Sequence, residues 1–123
     1  MSQYRSPALA ALLDSQRAIE ERMRNGEQSP AEVLDIGRQV LDFAAREDET
    51  LGAVLPLLDP AVRDELRAEH DQIDEDLQLL AWLLGNTPDS ADVPALTASL
   101  ARRMAMHLAR DGRLLSRAAH LTE

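Results

Sequence analysis

The chain contains no cysteine, and Tyr4, Phe43 and Trp82 are its only aromatic residues. Without cysteine there is no disulfide scaffold, no thiolate metal site and no cysteine nucleophile. With only three aromatics there is no stacking platform for single-stranded nucleic acid. Basic residues are also in the minority, 13 against 22 acidic ones, for a net charge of -9. A phosphate backbone calls for a basic face, so nucleic acid is excluded as a partner. The acidic balance favours solubility and, more weakly, cations. No window comes near the roughly 18 uninterrupted apolar residues that a membrane span requires. The N-terminal apolar run is broken by Asp14, Gln16 and Arg17, with Glu20 and Glu21 behind it, and so does not read as a signal peptide. The expected location is the cytoplasm, with no membrane partner.

What is present is helical. Ala, Leu, Arg and Glu dominate, and β-branched residues are few. A length of 123 residues suits one domain, spanning residues 1–123. A chain of this size buries about two thirds of its unfolded surface. Ser6-Pro7, Ser29-Pro30 and Asp59-Pro60 each place a side-chain acceptor before a proline, an arrangement that starts helices. Ser29 has Glu32 three residues on, which makes a capping box. A fourth start falls at Ser90 or Asp92, ahead of Val93-Pro94. Asn25-Gly26 and the Gly85-to-Pro88 stretch read as stops. These signals predict helices over 7–24, 30–57, 60–84 and 93–120. Short connections make the neighbours antiparallel, and an up-down-up-down four-helix bundle is the economical fold.

The apolar stripes at steps of three and four residues carry the functional signal. Helix 1 reads Leu9, Leu12, Gln16, Ile19, Met23, and helix 2 reads Leu34, Leu41, Ala45, Asp48 or Glu49, Gly52, Leu55. Helix 3 reads Val62, Leu66, His70, Ile73, Leu77, Leu80, Leu84. Helix 4 reads Leu96, Leu100, Met104, His107, Asp111, Leu114, Ala118. Each stripe is interrupted near its middle. In an up-down bundle Gln16, Ala45, His70 and His107 fall within roughly 6 Å of one another along the axis, at about 1.5 Å per residue. Glu49 and Asp111 lie one turn to one side, and Asp74 one turn to the other. Of the Glu47-Asp48-Glu49 triplet, Glu47 is expected in solvent and Glu49 inside.

A polar layer in a core has three explanations. It is a self-satisfied network, a metal site, or a small cavity that orients an organic ligand or water. Imidazole and carboxylate suit iron, zinc or manganese. The i, i+4 pairs His70/Asp74 and His107/Asp111 each aim at one point. Spacing alone leaves these readings open, including a metal-free bundle that binds or transforms a small organic ligand and a bundle that is an interaction module. No residue is assigned a catalytic role.

Two segments resemble a known family. They are Glu69-His70-Asp71-Gln72-Ile73 with Leu77, and Met106-His107-Leu108-Ala109-Arg110-Asp111 with Leu114-Leu115. With the Glu47-Asp48-Glu49-Thr50-Leu51 end of helix 2, they make the chain similar to the hemerythrin-like, or HHE cation-binding, domain. The resemblance implies a four-helix bundle with a non-haem iron centre that handles oxygen, nitric oxide, peroxide or iron. It implies His70, His107 and Asp111 as ligands and Glu49 as the helix 2 carboxylate. Gln16 and Ala45 stand where the family's helix 1 and helix 2 histidines fall, and Asp74 where a second helix 3 ligand falls. The donors that remain suit one metal held by two histidines and a carboxylate, with Gln16, Ala45 and Asp74 beside it. A ferritin-like site is disfavoured, because Arg67 and Met104 stand three residues before the two histidines, where that pattern wants Glu.

Overall fold

The computed structural model describes residues 7–25, 29–51 and 60–121. Among these residues there are four helices and no strand: α1 (Pro7–Asn25), α2 (Pro30–Leu51), α3 (Pro60–Asn86) and α4 (Asp92–Leu121). The start signals act as read wherever they are described. Ser29 Oγ accepts from the Glu32 amide at 3.2 Å, and the Ser29 carbonyl accepts from Val33 at 2.9 Å. At α4 the cap is Ser90, whose Oγ accepts from the Asp92 amide at 3.1 Å. The C-terminus of α3 is tied by Asn86 Nδ2 donating to the Trp82 carbonyl at 2.9 Å. The expected continuation of helix 2 to Leu57 lies outside the described residues. No described helix is long and apolar enough to cross a membrane.

The core is aliphatic. Leu9, Leu12, Ile19, Val33, Ile36, Val40, Phe43, Ile73, Leu80, Leu100, Met104, Leu108 and Leu115 are among the buried residues. Each such side chain, fully buried, contributes roughly 1.5–3 kcal/mol. The stripes of α1, α3 and α4 face inward as the spacing predicts. The stripe of α2 does not. Val33, Ile36, Gly37, Val40, Phe43, Ala44 and Glu47 are its buried residues among those described, whereas Ala45 and Glu49 are exposed. Phe43 decides this register, since it is the only bulky aromatic on the helix and is fully covered. Met106 and Trp82 are 74% and 56% exposed.

Ion pairs stitch neighbouring helices at their edges. Arg22 on α1 reaches Glu32 at 3.1 Å and Asp35 at 2.6 Å on α2. Arg67 and Arg63 on α3 reach Asp48 on α2 at 3.4 and 3.7 Å. Arg103 on α4 pairs with Asp76 on α3, and Arg110 with Glu65 and Glu69. Such partly exposed pairs each contribute at most about 1 kcal/mol and mainly set register.

Two glycines mark close approaches of helices. A Cβ on Gly112 would meet Gln16 Nε2 at 2.8 Å, so α1 and α4 come together beside Asp111. A Cβ on Gly37 would overlap both terminal methyls of Leu77, itself buried. Gly37→Ala should therefore destabilise the protein. Overpacking of about 1–3 kcal/mol outweighs the roughly 1 kcal/mol that alanine gains in helix propensity. The urea midpoint of the variant falls, and Leu77→Ala costs less in the Gly37→Ala background than in the wild type, because it relieves the overlap while losing buried surface. A midpoint at or above wild type would refute this account of the α2–α3 contact.

Candidate metal centre

Asp111 and His107 project one turn apart from the inner face of α4. Asp111 is fully buried and His107 is 3% exposed. His70 enters from α3 and is half-buried. The two imidazole rings meet edge to face, with centroids 4.6 Å apart and planes at 79°. One donor atom from each of His70, His107 and Asp111 lies within 4.8 Å of the others, and this trio could hold a metal ion. A metal with bonds of about 2.1 Å keeps its donors no more than about 4.2 Å apart, so small side-chain rotations would close the trio.

Glu47 completes the cluster from α2. It is 1% exposed, and its carboxyl adjoins that of Asp111. The expectation that Glu49 faces inward and Glu47 faces solvent is therefore reversed. Glu49 is exposed and takes no place in the cluster. The two positions differ by two residues, about 200° around a helix, so the packing of Phe43 inside carries Glu47 in with it. Asp74 and Ala45 are also exposed. They line a groove of about 510 Å³ between α2 and α3, with His70 and Asp48 on the same wall. Gln16 is buried, but its amide donates to the Leu108 carbonyl on α4 at 3.0 Å. It clamps α1 onto the turn that carries His107 and Asp111 rather than presenting a donor to the cluster.

Sequence reading missed Glu69. Its Oε2 lies 2.5 Å from His107 Nδ1, and Arg110 grips the same carboxylate from outside. Glu69 is adjacent to His70 in sequence, but it points along the α3–α4 seam. An α3–α4 register pairing residue 69 with residue 110 is the signal that would have found it. With Nδ1–H donating to Glu69, the other nitrogen of His107 is the one turned toward the core. Carboxylates behind ligating histidines commonly set ring orientation in this manner.

The inner atoms are poorly satisfied. His107 Nε2 comes within 3.0 Å of Asp111 Oδ2. That approach brings charge attraction without hydrogen-bond alignment. His70 Nε2, His107 Nε2, both Asp111 oxygens and Glu47 Oε2 all remain buried without a hydrogen-bond partner. Five such atoms in one spot are unusual, because native cores satisfy nearly all their buried polar groups.

Electrostatics follow from this crowding. Burial pushes the Glu47 carboxyl up to about 9, helped by the neighbouring Asp111 and Asp48 charges. Burial opposes a charged His107 ring, yet Asp111 and Glu69 outweigh it and raise its pKa above the ordinary value. Burial, followed by repulsion from His107, lowers that of His70.

No protein-family model, curated protein or solved structure matches the chain. Fold and site define it as a four-helix protein with a buried histidine–carboxylate cluster that could hold a metal ion.

The pKa shifts predict how chelator-treated protein responds to pH. Folded Glu47 keeps, up to about pH 9, a proton that the unfolded chain releases near 4.5. Its contribution to stability is thus present at low pH and lost as pH rises toward 9. His107 acts in the same direction around its ordinary 6.5, and His70 acts oppositely. The urea midpoint should be lower at pH 9 than at pH 6, and Glu47→Gln should shrink that difference. An unchanged difference in the variant would remove Glu47 as its source.

Proposed function

We propose that the protein is a hemerythrin-like, up-down four-helix bundle that binds one transition-metal ion, iron by preference. His70, His107 and Asp111 are the ligands, with Glu47 as a further carboxylate donor. One observation carries this reading: His70, His107 and Asp111 bring a ligand atom each within 4.8 Å of one another, and their inner atoms, with one oxygen of the neighbouring Glu47, are buried without a hydrogen-bond partner. A purely structural network would leave them unsatisfied, and an unpaired buried carboxylate costs several kcal/mol. A divalent cation would neutralise the carboxylates and accept the imidazole lone pairs together.

Two imidazoles and a carboxylate with open positions are the donor set of mononuclear non-haem iron, and they also suit zinc and manganese. A single metal is favoured because position 16 carries a glutamine and position 45 an alanine, neither of which supplies an imidazole. When bound, the metal would supply a Lewis-acidic, open coordination position. The resemblance points to dioxygen, nitric oxide or peroxide as its occupant. The chain's own residues do the rest. Glu69, anchored by Arg110, holds the His107 proton at Nδ1 and keeps Nε2 free. Aliphatic side chains around Met104, Leu108 and Ile73 exclude bulk water. The groove beside His70 gives a small molecule access from the α2–α3 side. Pairing of Arg110 with Glu65 and Glu69, and of Arg103 with Asp76, runs in opposite sequence directions and supports the antiparallel topology.

Anaerobic ferrous loading, metal analysis and an absorption spectrum after exposure to air test the proposal. The expected result is close to one iron per chain. His70→Ala, His107→Ala and Asp111→Ala should each abolish retention, whereas Glu49→Ala should leave it intact. Glu69→Gln should weaken affinity by roughly 10- to 100-fold. Failure to retain iron, zinc or manganese in the wild type would overturn the reading.

A further inference from the structure

Every basic residue in this chain is an arginine, and four of the 13 line one groove between α3 and α4. The groove has a volume of about 690 Å³. Arg102, Arg103, Arg110 and Arg113 line it, and Glu69 is the only acidic residue on its wall. Two of these arginines are already engaged, Arg103 with Asp76 and Arg110 with Glu65 and Glu69. Arg102 and Arg113 have no carboxylate partner among the described residues, although the chain holds 22 acidic side chains. A concentration of positive charge on a protein of net charge -9 needs a reason.

The spacing of the two free arginines suggests one. Residues 102 and 113 are three turns apart on the same face of α4, roughly 16 Å along the axis. Between them on that face stands Met106, 74% exposed. Guanidinium forks match carboxylate and phosphate groups bidentately. The groove thus offers cation, apolar surface and cation in line. We propose that it binds an elongated organic dianion, with an acidic group at each end and an apolar spacer lying over Met106. A single exposed ion pair is weak. Joining two of them through one ligand makes the second contact intramolecular and gives measurable affinity. The groove adjoins the metal centre through Glu69, His107 and Arg110, but the proposal rests on Arg102, Met106 and Arg113 and does not depend on the metal reading.

Titration calorimetry on the full chain at low salt is the test. The probe is dodecanedioate, with dodecanoate and inorganic phosphate as single-ended comparisons. The dicarboxylate should saturate at one per chain and bind at least about tenfold more tightly than either comparison. Arg102→Ala and Arg113→Ala should each bring its affinity down to that of dodecanoate. Both residues are exposed, so circular dichroism should be unchanged. Arg38→Ala, an exposed α2 arginine outside the groove, should have no effect. The Met106 methyl and the His107 ring signals should shift on titration. Absence of saturable binding would overturn the proposal. So would equal affinity for dodecanoate, which is apolar association alone, or equal affinity for inorganic phosphate, which is a compact anion site. Undiminished binding by the Arg102→Ala/Arg113→Ala double variant would also overturn it.

Discussion

The centre of this bundle is organised around one unfavourable act, the burial of the Asp111 carboxylate beside Glu47 in an aliphatic core. Water is excluded from both groups, and two like charges at that depth repel each other strongly. The surrounding structure reads as a set of responses. His107 approaches Asp111 with one nitrogen and gives the other to Glu69. Arg110 neutralises Glu69 at the surface. Gln16 ties α1 to the carbonyl of Leu108, one turn before Gly112, where a larger residue would press on the same amide. Burial raises Glu47 until it holds its proton. Remove the Asp111 charge, and most of these arrangements lose their purpose.

The fold was largely legible from the chain, because three helices each carry one stripe. On α1, α3 and α4 the residues at steps of three and four are buried or half-buried throughout, joined on the inward face by neighbours such as Leu13, Leu108 and Leu115. Helix α2 is different. Val33, Ile36, Val40 and Phe43 form one apolar stripe, and Leu34, Leu41 and Ala45 form another beside it. Leu34 and Leu41 are themselves half-buried, so the two stripes share a broad face. Periodicity cannot choose between their centres. Glu47, Asp48 and Glu49 follow directly, and each register turns a different one inward. The choice falls to packing volume: Phe43 is the largest side chain fully covered in the core. The site was legible to the same degree. His70, His107 and Asp111 sit on clean stripes and meet in space. Glu47 and Glu69 belong to the cluster through α2 register and α3–α4 register, which single-helix patterns do not encode.

The bundle is also electrically lopsided around this cluster. On the α2–α3 side, the groove beside His70 is walled by Asp48, Asp71 and Asp74, with Arg67 the one cation among them. On the α3–α4 side, the groove beside His107 is walled by four arginines and one glutamate. Ion pairs with Asp76, Glu65 and Glu69 offset part of the positive charge on the α3–α4 side, which leaves Arg102 and Arg113 as its unpaired cations among the described residues. Glu69 lies at the border. It belongs to the arginine groove by its wall and to the core by its bond to His107.

Protonation and metal binding are two ways of neutralising the same buried charge. Without a cation, Glu47 retains a proton and His107 is held between two carboxylates, at the cost of several unsatisfied atoms. A cation would replace these protons and satisfy the atoms together. In such a core, the discomfort of the metal-free state is itself a source of affinity, because relief of that strain adds to the binding free energy. The absence of histidine at positions 16 and 45 therefore does not require the centre to be inert. His70, His107 and Asp111 still form a group that could hold a metal ion.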